Sequence, residues 1–305
     1  MSRRWTVIIT LAVACVCLSA ADAYAWGPAM HARLALDVLG EASLLPAGLA
    51  AMLARRMVSY IFGNIAADVV FAKRMSRVRQ FCHHWSTGFR FLEQADNERD
   101  QAFAYGYLSH LAADTVAHNK YVPHQITVTR TTMNFGHLYW EMRADALVDT
   151  ETWRLMEEVL AADHEHHHRV LAAQLTETLL PYRFNRRLFD RINRFHTRDY
   201  WQTCSRLWYR YSRWDLPPDL VRQYRAESVE RIRSVLLRGA ESPVVREDPN
   251  GSAALLLARL NRRARRRLHR RGELADRHIM EAAAALAPAR APHVAPPPMD
   301  FHQAP

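Results

Sequence analysis

The chain has 305 residues, 49% of them hydrophobic, with 10 Gly and 14 Pro, which is enough for one sizeable core and leaves room for a second domain. Long segments repeat their apolar residues at a helical period and few alternate at period 2, while Val and Ile are sparse beside Ala, Leu and Arg, so the composition is all-α and sets aside a β-rich fold. The formal net charge of +10 is uneven, because Arg259, Arg262, Arg263, Arg265, Arg266, Arg267, Arg270 and Arg271 crowd one run near the C-terminus.

Met1 to Ala25 has the pattern of a secretory signal. Arg3 and Arg4 give the positive start, Val7 to Leu18 the apolar run, and Ala23-Tyr24-Ala25 a small-x-small cleavage site. The apolar run is short for a membrane span. Cleavage after Ala25 leaves Trp26 as a new N-terminus, and a free α-amino group with its own carbonyl oxygen is a five-membered chelate for zinc. His31 then opens a helix through Leu39, with His31, Leu34, Ala35 and Val38 on one stripe. A second helix is expected from Pro46 to Ser59. After it, Asp68 interrupts the apolar run Ile65 to Phe71, and an acid there has either a partner or a job.

Phe81-Cys82-His83-His84-Trp85 leads into an amphipathic helix carrying Phe89, Phe91 and Leu92. Adjacent histidines point about 100° apart on a helix, so one of the two enters a given site; His83 is the first choice and His84 the fallback. The next stretch is the densest in chemistry. A helix expected from Asp100 to Lys120 carries His110, Asp114 and His118 at every fourth position, which stacks them along one face, and the intervening Leu108, Leu111, Ala112, Val116 and Ala117 are apolar. After a break at Pro123 and a polar connector from Gln125 to Thr132, a helix from Phe135 through Ala161 repeats the spacing with His137 and Glu141. One His-xxx-Asp pair is as well explained by a surface contact. Linked pairs on apolar helices point to ligated side chains, because buried His and Asp are costly otherwise. Two helices facing each other would gather five N/O donors, enough for more than one ion.

Asp163-His164-Glu165-His166-His167-His168 is expected to lie exposed between helices, where such runs hold metal loosely. Further helices are expected over Arg169–Leu180, Arg186–Thr197, Tyr200–Trp214 and Pro218–Gly239, and Arg183, Arg187, Arg191 and Arg194 fall at near-helical spacing. The arginine run after Gly251 reads as a basic helix, which either binds an anionic membrane or nucleic acid or is simply solvated. From Ala282 the chain is Ala/Pro-rich and expected to be disordered. Cys82 and Cys204 permit one disulfide but are no framework. There is no Gly-rich phosphate loop, Gly-x-Ser-x-Gly elbow or Cys-x-x-Cys pair.

In order, Trp26, the early helical His31, Gly63-x-x-x-x-Asp68, His83, His110-xxx-Asp114, a following His and His137-xxx-Glu141 resemble the zinc-dependent phospholipase C family, whose fold and trinuclear site the secreted single-strand-specific nucleases share. The likeness runs from Trp26 to Arg143. It implies an all-α, multi-helix bundle around a buried multi-zinc site holding up to three Zn2+. Asp68, His83, His110 and Asp114 would hold one ion, and His118, His137 and Glu141 a second. The amino and carbonyl groups of Trp26, His31 and the other oxygen of Asp114 would hold the third. The family's next His stands six residues past the Asp, whereas here His118 stands four and His124 ten residues past it. The five-residue step from Trp26 to His31 is closer to the nucleases. On this reading residues 1–25 are a signal peptide, 26–245 the phospholipase C-like helical domain, 246–281 a basic helical extension and 282–305 a disordered tail.

The function that follows is a secreted or periplasmic zinc-dependent phosphoric diester hydrolase, with phospholipid as its first-choice substrate and Asp68 orienting or deprotonating the attacking water. The basic segment 259–271 offers a peripheral contact with anionic membrane, and no obligate protein partner is inferred. Two alternatives stand beside it. One is a single-strand nuclease or nucleotidase of the same chemistry, with Trp85, Tyr139 or Trp140 stacking on bases. The other is a helical zinc-binding protein without turnover.

Overall fold

The structure is a computed structural model that describes residues 26–70, 82–129, 133–175, 180–212 and 214–270. Residues 1–25, read above as a signal peptide, and the chain beyond residue 270, including the Ala/Pro-rich stretch, lie outside these residues. Among the described residues every regular element is a helix. They are α1 (Pro28–Gly40), α2 (Ala47–Arg55), α3 (Met57–Ala66), α4 (Trp85–Glu93), α5 (Glu98–Val116), a π-helical turn (Ala117–Tyr121), α6 (Val122–Thr129), α7 (Met133–Asp145), α8 (Thr150–Ala161), α9 (Glu165–Gln174), α10 (Tyr182–His196), α11 (Asp199–Arg210), α12 (Pro218–Arg238) and α13 (Ser252–Arg270), with short 3-10 turns between some of them.

Helix α5 is the axis of the bundle. Asn97 caps it, its side-chain oxygen accepting from the N–H groups of Arg99 at 2.9 Å and Asp100 at 3.1 Å. From Gly106 to Val116 every residue is buried, so this helix meets protein on all sides. Helices α3, α4 and α12 pack on it, and α1 packs on α3. The closest of these contacts is the α3–α5 crossing, where Gly63 faces Gly106. A Cβ at Gly63 would overlap the Phe103 carbonyl, and one at Gly106 the Tyr60 carbonyl. Two glycines let the backbones approach, and Tyr60 OH and Ser109 Oγ close a buried hydrogen bond of 3.1 Å beside them.

Several spans differ from expectation. The helix expected over 46–59 is two, α2 and α3, parting at Arg56, where Arg55 and Arg56 both turn to Glu98. The helix expected from 135 to 161 breaks after Asp145, and Asp149 caps α8 through the Thr152 N–H at 2.8 Å. Pro123 does not end its helix. Proline lacks the N–H that would bond the Asn119 carbonyl and its ring crowds that carbonyl. The preceding turn instead widens to a π-helix, with the Val122 N–H reaching Ala117 O, and the expected connector from Gln125 onward is helical through Thr129. Cys82 is buried and Cys204 exposed, and both are free thiols.

Gly106→Ala is expected to destabilise the fold by about 1–3 kcal/mol, because the added methyl has no space at the crossing. Gly48→Ala, in helix α2 with open space around it, is expected to stabilise by up to about 1 kcal/mol. Urea unfolding midpoints of the two variants, moving in opposite directions, check this.

Candidate metal centre

Asp114 stands at the centre of a cluster of buried imidazoles. It is 1% exposed. Its Oδ2 lies 3.1 Å from His110 Nε2, 3.2 Å from His83 Nε2 and 3.6 Å from His118 Nε2, while its Oδ1 lies 3.3 Å from His31 Nε2. Asp68 Oδ1 is 3.3 Å from His83 Nε2. The His110 and His83 Nε2 atoms are 3.0 Å apart, and the His31 ring stacks on His110 at 3.9 Å. Beside them His137 Nε2 lies 3.1 Å from Glu141 Oε1, and the His118 and His137 ring centres are 5.2 Å apart. Two donors on one tetrahedral zinc, at about 2.0–2.2 Å each, sit about 3.3–3.5 Å from one another. The observed separations match that spacing.

The local folding of each element sets these positions. His110 and Asp114 are one turn apart on α5. His118 follows as the second residue of the π turn, which keeps it facing Asp114. The end of α3 orients His110: the Asn64 carbonyl has no helical partner there and accepts from His110 Nδ1 at 2.7 Å. A carbonyl only accepts, so the proton is on Nδ1 and the Nε2 lone pair faces the cluster. Helix α1 is set by α7. Asp145, one turn past Glu141, takes the Met30 N–H on Oδ1 at 3.0 Å and the Ala29 N–H on Oδ2 at 3.3 Å, capping α1 from another helix and bringing His31 to Asp114.

Electrostatics and orphaned atoms agree with the geometry. Burial pushes the Asp114 carboxyl up, but His110, His118 and His31 outweigh it and hold the carboxyl well below the usual range. Burial, with His110 adding to it, lowers His31 to about 4, and burial also lowers His118 and His137. His31, His118 and His137 are therefore held neutral, the form that binds metal. His31 Nδ1 and Nε2, Asp114 Oδ1, His118 Nδ1 and His137 Nε2 are buried with no hydrogen bond, although such atoms are rarely left so. A group of cations held by neutral imidazoles and carboxylates satisfies this donor set, and the residues fit zinc.

The structure separates the paired candidates. His83 is buried in the cluster, while His84 is exposed and caps α4 through the Ser86 N–H at 3.3 Å. His124 is elsewhere, with its Nδ1 3.2 Å from Tyr224 OH. Trp26 is buried, stacked on Tyr121 at 4.6 Å and donating from Nε1 to Ser228 Oγ at 3.2 Å. The histidine run is not exposed as expected. His164 stacks on Phe62 at 3.6 Å and His167 on Phe103 at 4.4 Å, and only His166 is substantially exposed, its Nε2 3.1 Å from Asp100. This run lies apart from the cluster around Asp114.

Sequence reasoning missed four contributors: Asn64, Asp145, Asn250 and Gly251. Asn250 Nδ2 donates to the His83 carbonyl at 3.1 Å. Gly251, at φ +58°, leaves no space for a Cβ against the His118 carbonyl. Asp145 had a signal, since His137, Glu141 and Asp145 repeat the i, i+4, i+8 spacing of His110, Asp114 and His118. The turn Asp248-Pro249-Asn250-Gly251 reads from sequence only as a loop.

Beside the cluster a pocket opens whose wall includes Asp68, Glu141 and Asp145. Its remaining lining is largely apolar and aromatic, from Leu138, Met142, Trp153, Phe189, Trp201 and Tyr209.

A helical bundle that buries such a set of histidines and carboxylates has the donor chemistry of a metal-binding protein. The family model for zinc-dependent phospholipase C matches residues 28–210, and the chain belongs to that family. No curated protein and no solved structure matches it.

The buried histidine run generates a pH prediction. Burial, then His164, lowers His167 to about 3, and burial, then Arg186, lowers His168 to about 4. Below the unfolded value of about 6.5 the unfolded chain takes protons the folded chain refuses, so stability is complete above pH 6.5 and falls on acidification toward those lower values. The two sites together are expected to cost about 2 kcal/mol per pH unit between pH 6 and 4.5. Chelator-treated wild type and the H167Q/H168Q variant, unfolded in urea across that range, should differ by this slope.

Proposed function

We propose that the protein is a secreted or periplasmic phosphodiesterase that hydrolyses phospholipids by a phospholipase C-type reaction. The observation that carries this reading is the opening of the ligand cluster, through Asp68 and Glu141, into a pocket walled by apolar and aromatic side chains. Such a wall suits acyl chains, because burying apolar surface contributes about 25 cal/mol per Å². The three aromatics that a nuclease reading would use for base stacking are engaged inside. Trp140 is fully buried, Trp85 is 7% exposed and donates to the Glu247 carbonyl at 2.9 Å, and Tyr139 packs among Trp140, Tyr209 and Trp214.

Bound zinc would lower the pKa of a water to near neutrality and offset negative charge on the phosphate. Asp68, His83, His110 and Asp114 would hold one ion, and His118, His137 and Glu141 another. His31 and Asp114, with the amino and carbonyl groups of Trp26 freed by cleavage after Ala25, would hold a third. Asp68 reaches the pocket wall, so its carboxylate can orient the attacking water and take its proton. The apolar wall excludes bulk water from that exchange and holds the diacylglycerol portion as it leaves.

Elemental analysis of the exported protein is expected to give close to three zinc per chain, falling by at least one in His110→Ala and in Glu141→Ala. Zinc-free protein would remove the basis of the metal reading. Phosphatidylcholine, presented below and above its aggregation limit, is expected to be cleaved to diacylglycerol and phosphocholine in preference to single-stranded DNA. Asp68→Asn should lower turnover by about 10²-fold or more. Trp153→Ala should weaken activity on long-chain lipid more than on a short-chain analogue. Cleavage of DNA without cleavage of lipid would transfer the assignment to the nuclease reading.

A further inference from the structure

Helix α13 presents a surface that neither the fold nor the metal centre uses. It packs on α6 and the π turn through one face, with Ala258 buried and Ala254, Leu255 and Arg262 half-buried. Its opposite face carries Ala253, Leu256, Leu257, Leu260 and Ala264, spaced i, i+3, i+4, i+7 and i+11, and all five are exposed. The three leucines keep 53%, 55% and 50% of their surface in water. An apolar stripe at helical spacing normally faces a core; here it faces outward. Between Ser252 and Arg270 the chain has seven Arg and no acidic residue. Among the described residues no helix is long and apolar enough to cross a membrane.

We infer that α13 is an interfacial helix that docks the protein on the surface of an anionic lipid bilayer. Its leucine stripe enters the boundary between headgroups and acyl chains, and its arginines meet the lipid phosphates. The chemistry favours this occupant over two others. A second copy of the chain, seated on the same face, would bring two sets of arginines together with no acidic residue on the helix to offset them. A nucleic acid would satisfy the arginines but leave the leucines in water, and single strands are held by aromatic stacking, for which this stripe offers no ring. An anionic bilayer satisfies both. Guanidinium groups bind phosphate oxygens in pairs, arginine stems lie along apolar surface, and an exposed leucine stripe gains by leaving water. The inference is independent of hydrolysis, since it concerns where the protein sits and not what it cleaves.

The test compares the full chain with its L256S/L257S/L260S variant, both produced with the native N-terminal segment so that they differ only on α13. The replaced side chains are exposed, so circular dichroism and thermal unfolding are expected to be the same for both. Co-sedimentation with phosphatidylglycerol vesicles and with phosphatidylcholine vesicles is the readout. Wild type is expected to bind the anionic vesicles at least about tenfold more tightly than the neutral ones, with the advantage shrinking in high salt. The leucine variant is expected to lose about tenfold or more of that binding. Equal binding of both proteins to phosphatidylglycerol would overturn the inference. So would a wild-type dimer in sedimentation velocity that the serines dissolve, with no vesicle binding, or binding of an oligonucleotide alone. Because bound protein is counted without turnover, an enzyme inactive on phospholipid leaves this test intact, and a failure here leaves the hydrolase reading untouched.

Discussion

The carboxylate of Asp114 is the constraint on which the rest of the structure depends. An ionised acid at 1% exposure is prohibitive in an apolar core unless its charge is matched. Here imidazole nitrogens from α1, α5, the π turn and the loop before α4 approach its two oxygens. Burial keeps His31 and His118 neutral, so they cannot match that charge as cations do. Neutral donors around a buried anion are an incomplete set; a cation between them completes it. A cation bound there would relieve part of the cost that the cluster carries without one.

For that cluster to form, four separate stretches of backbone must converge within a few ångströms, and the packing around α5 is what permits it. Gly63 and Gly106 bring α3 against α5, which places the unfilled Asn64 carbonyl under His110. Asp145 performs the corresponding task for α1, accepting two of its N-terminal N–H groups and so tying His31 to the helix that carries His137 and Glu141. Burial raises the Asp145 carboxyl to about 7 even though both N–H groups draw it down. The clustered side chains of His110 and His31 are therefore positioned by backbone groups one step removed from them.

Much of this was legible in the amino-acid sequence, for a definable reason. His110, Asp114 and His118, and His137 with Glu141, lie within single helices, where spacing alone decides which side chains share a face. The all-helical fold was legible on the same ground. What spacing does not disclose is which surface a helix meets. The histidine run at 164–168 reads as polar and exposed because its ring partners, Phe62 and Phe103, come from helices far away in the chain. Choosing between His83 and His84 required knowing that the second caps α4. Pro123 reads as a break because the cost of proline is local, whereas the widened π turn that absorbs it also carries His118 and gains from that ligand's position.

The centre also reaches beyond the stretch that defines the family. The match ends at residue 210, yet α12 and the loop after it grip the ligand-bearing elements. Ser228 holds the Trp26 indole, and Asn250 holds the His83 carbonyl. Asn119, in the π turn, donates to the Asp248 carbonyl at 3.0 Å, and Arg231 bridges Glu227 to Glu247. These bonds act on backbone and neighbours and leave the cluster's own side chains free of them. Gly251 completes the grip. Its positive φ and its approach to the His118 carbonyl are both conditions that glycine alone meets without strain. Helix α13 starts at the next residue, so it leaves the π turn that carries His118 at a joint with no room for a side chain.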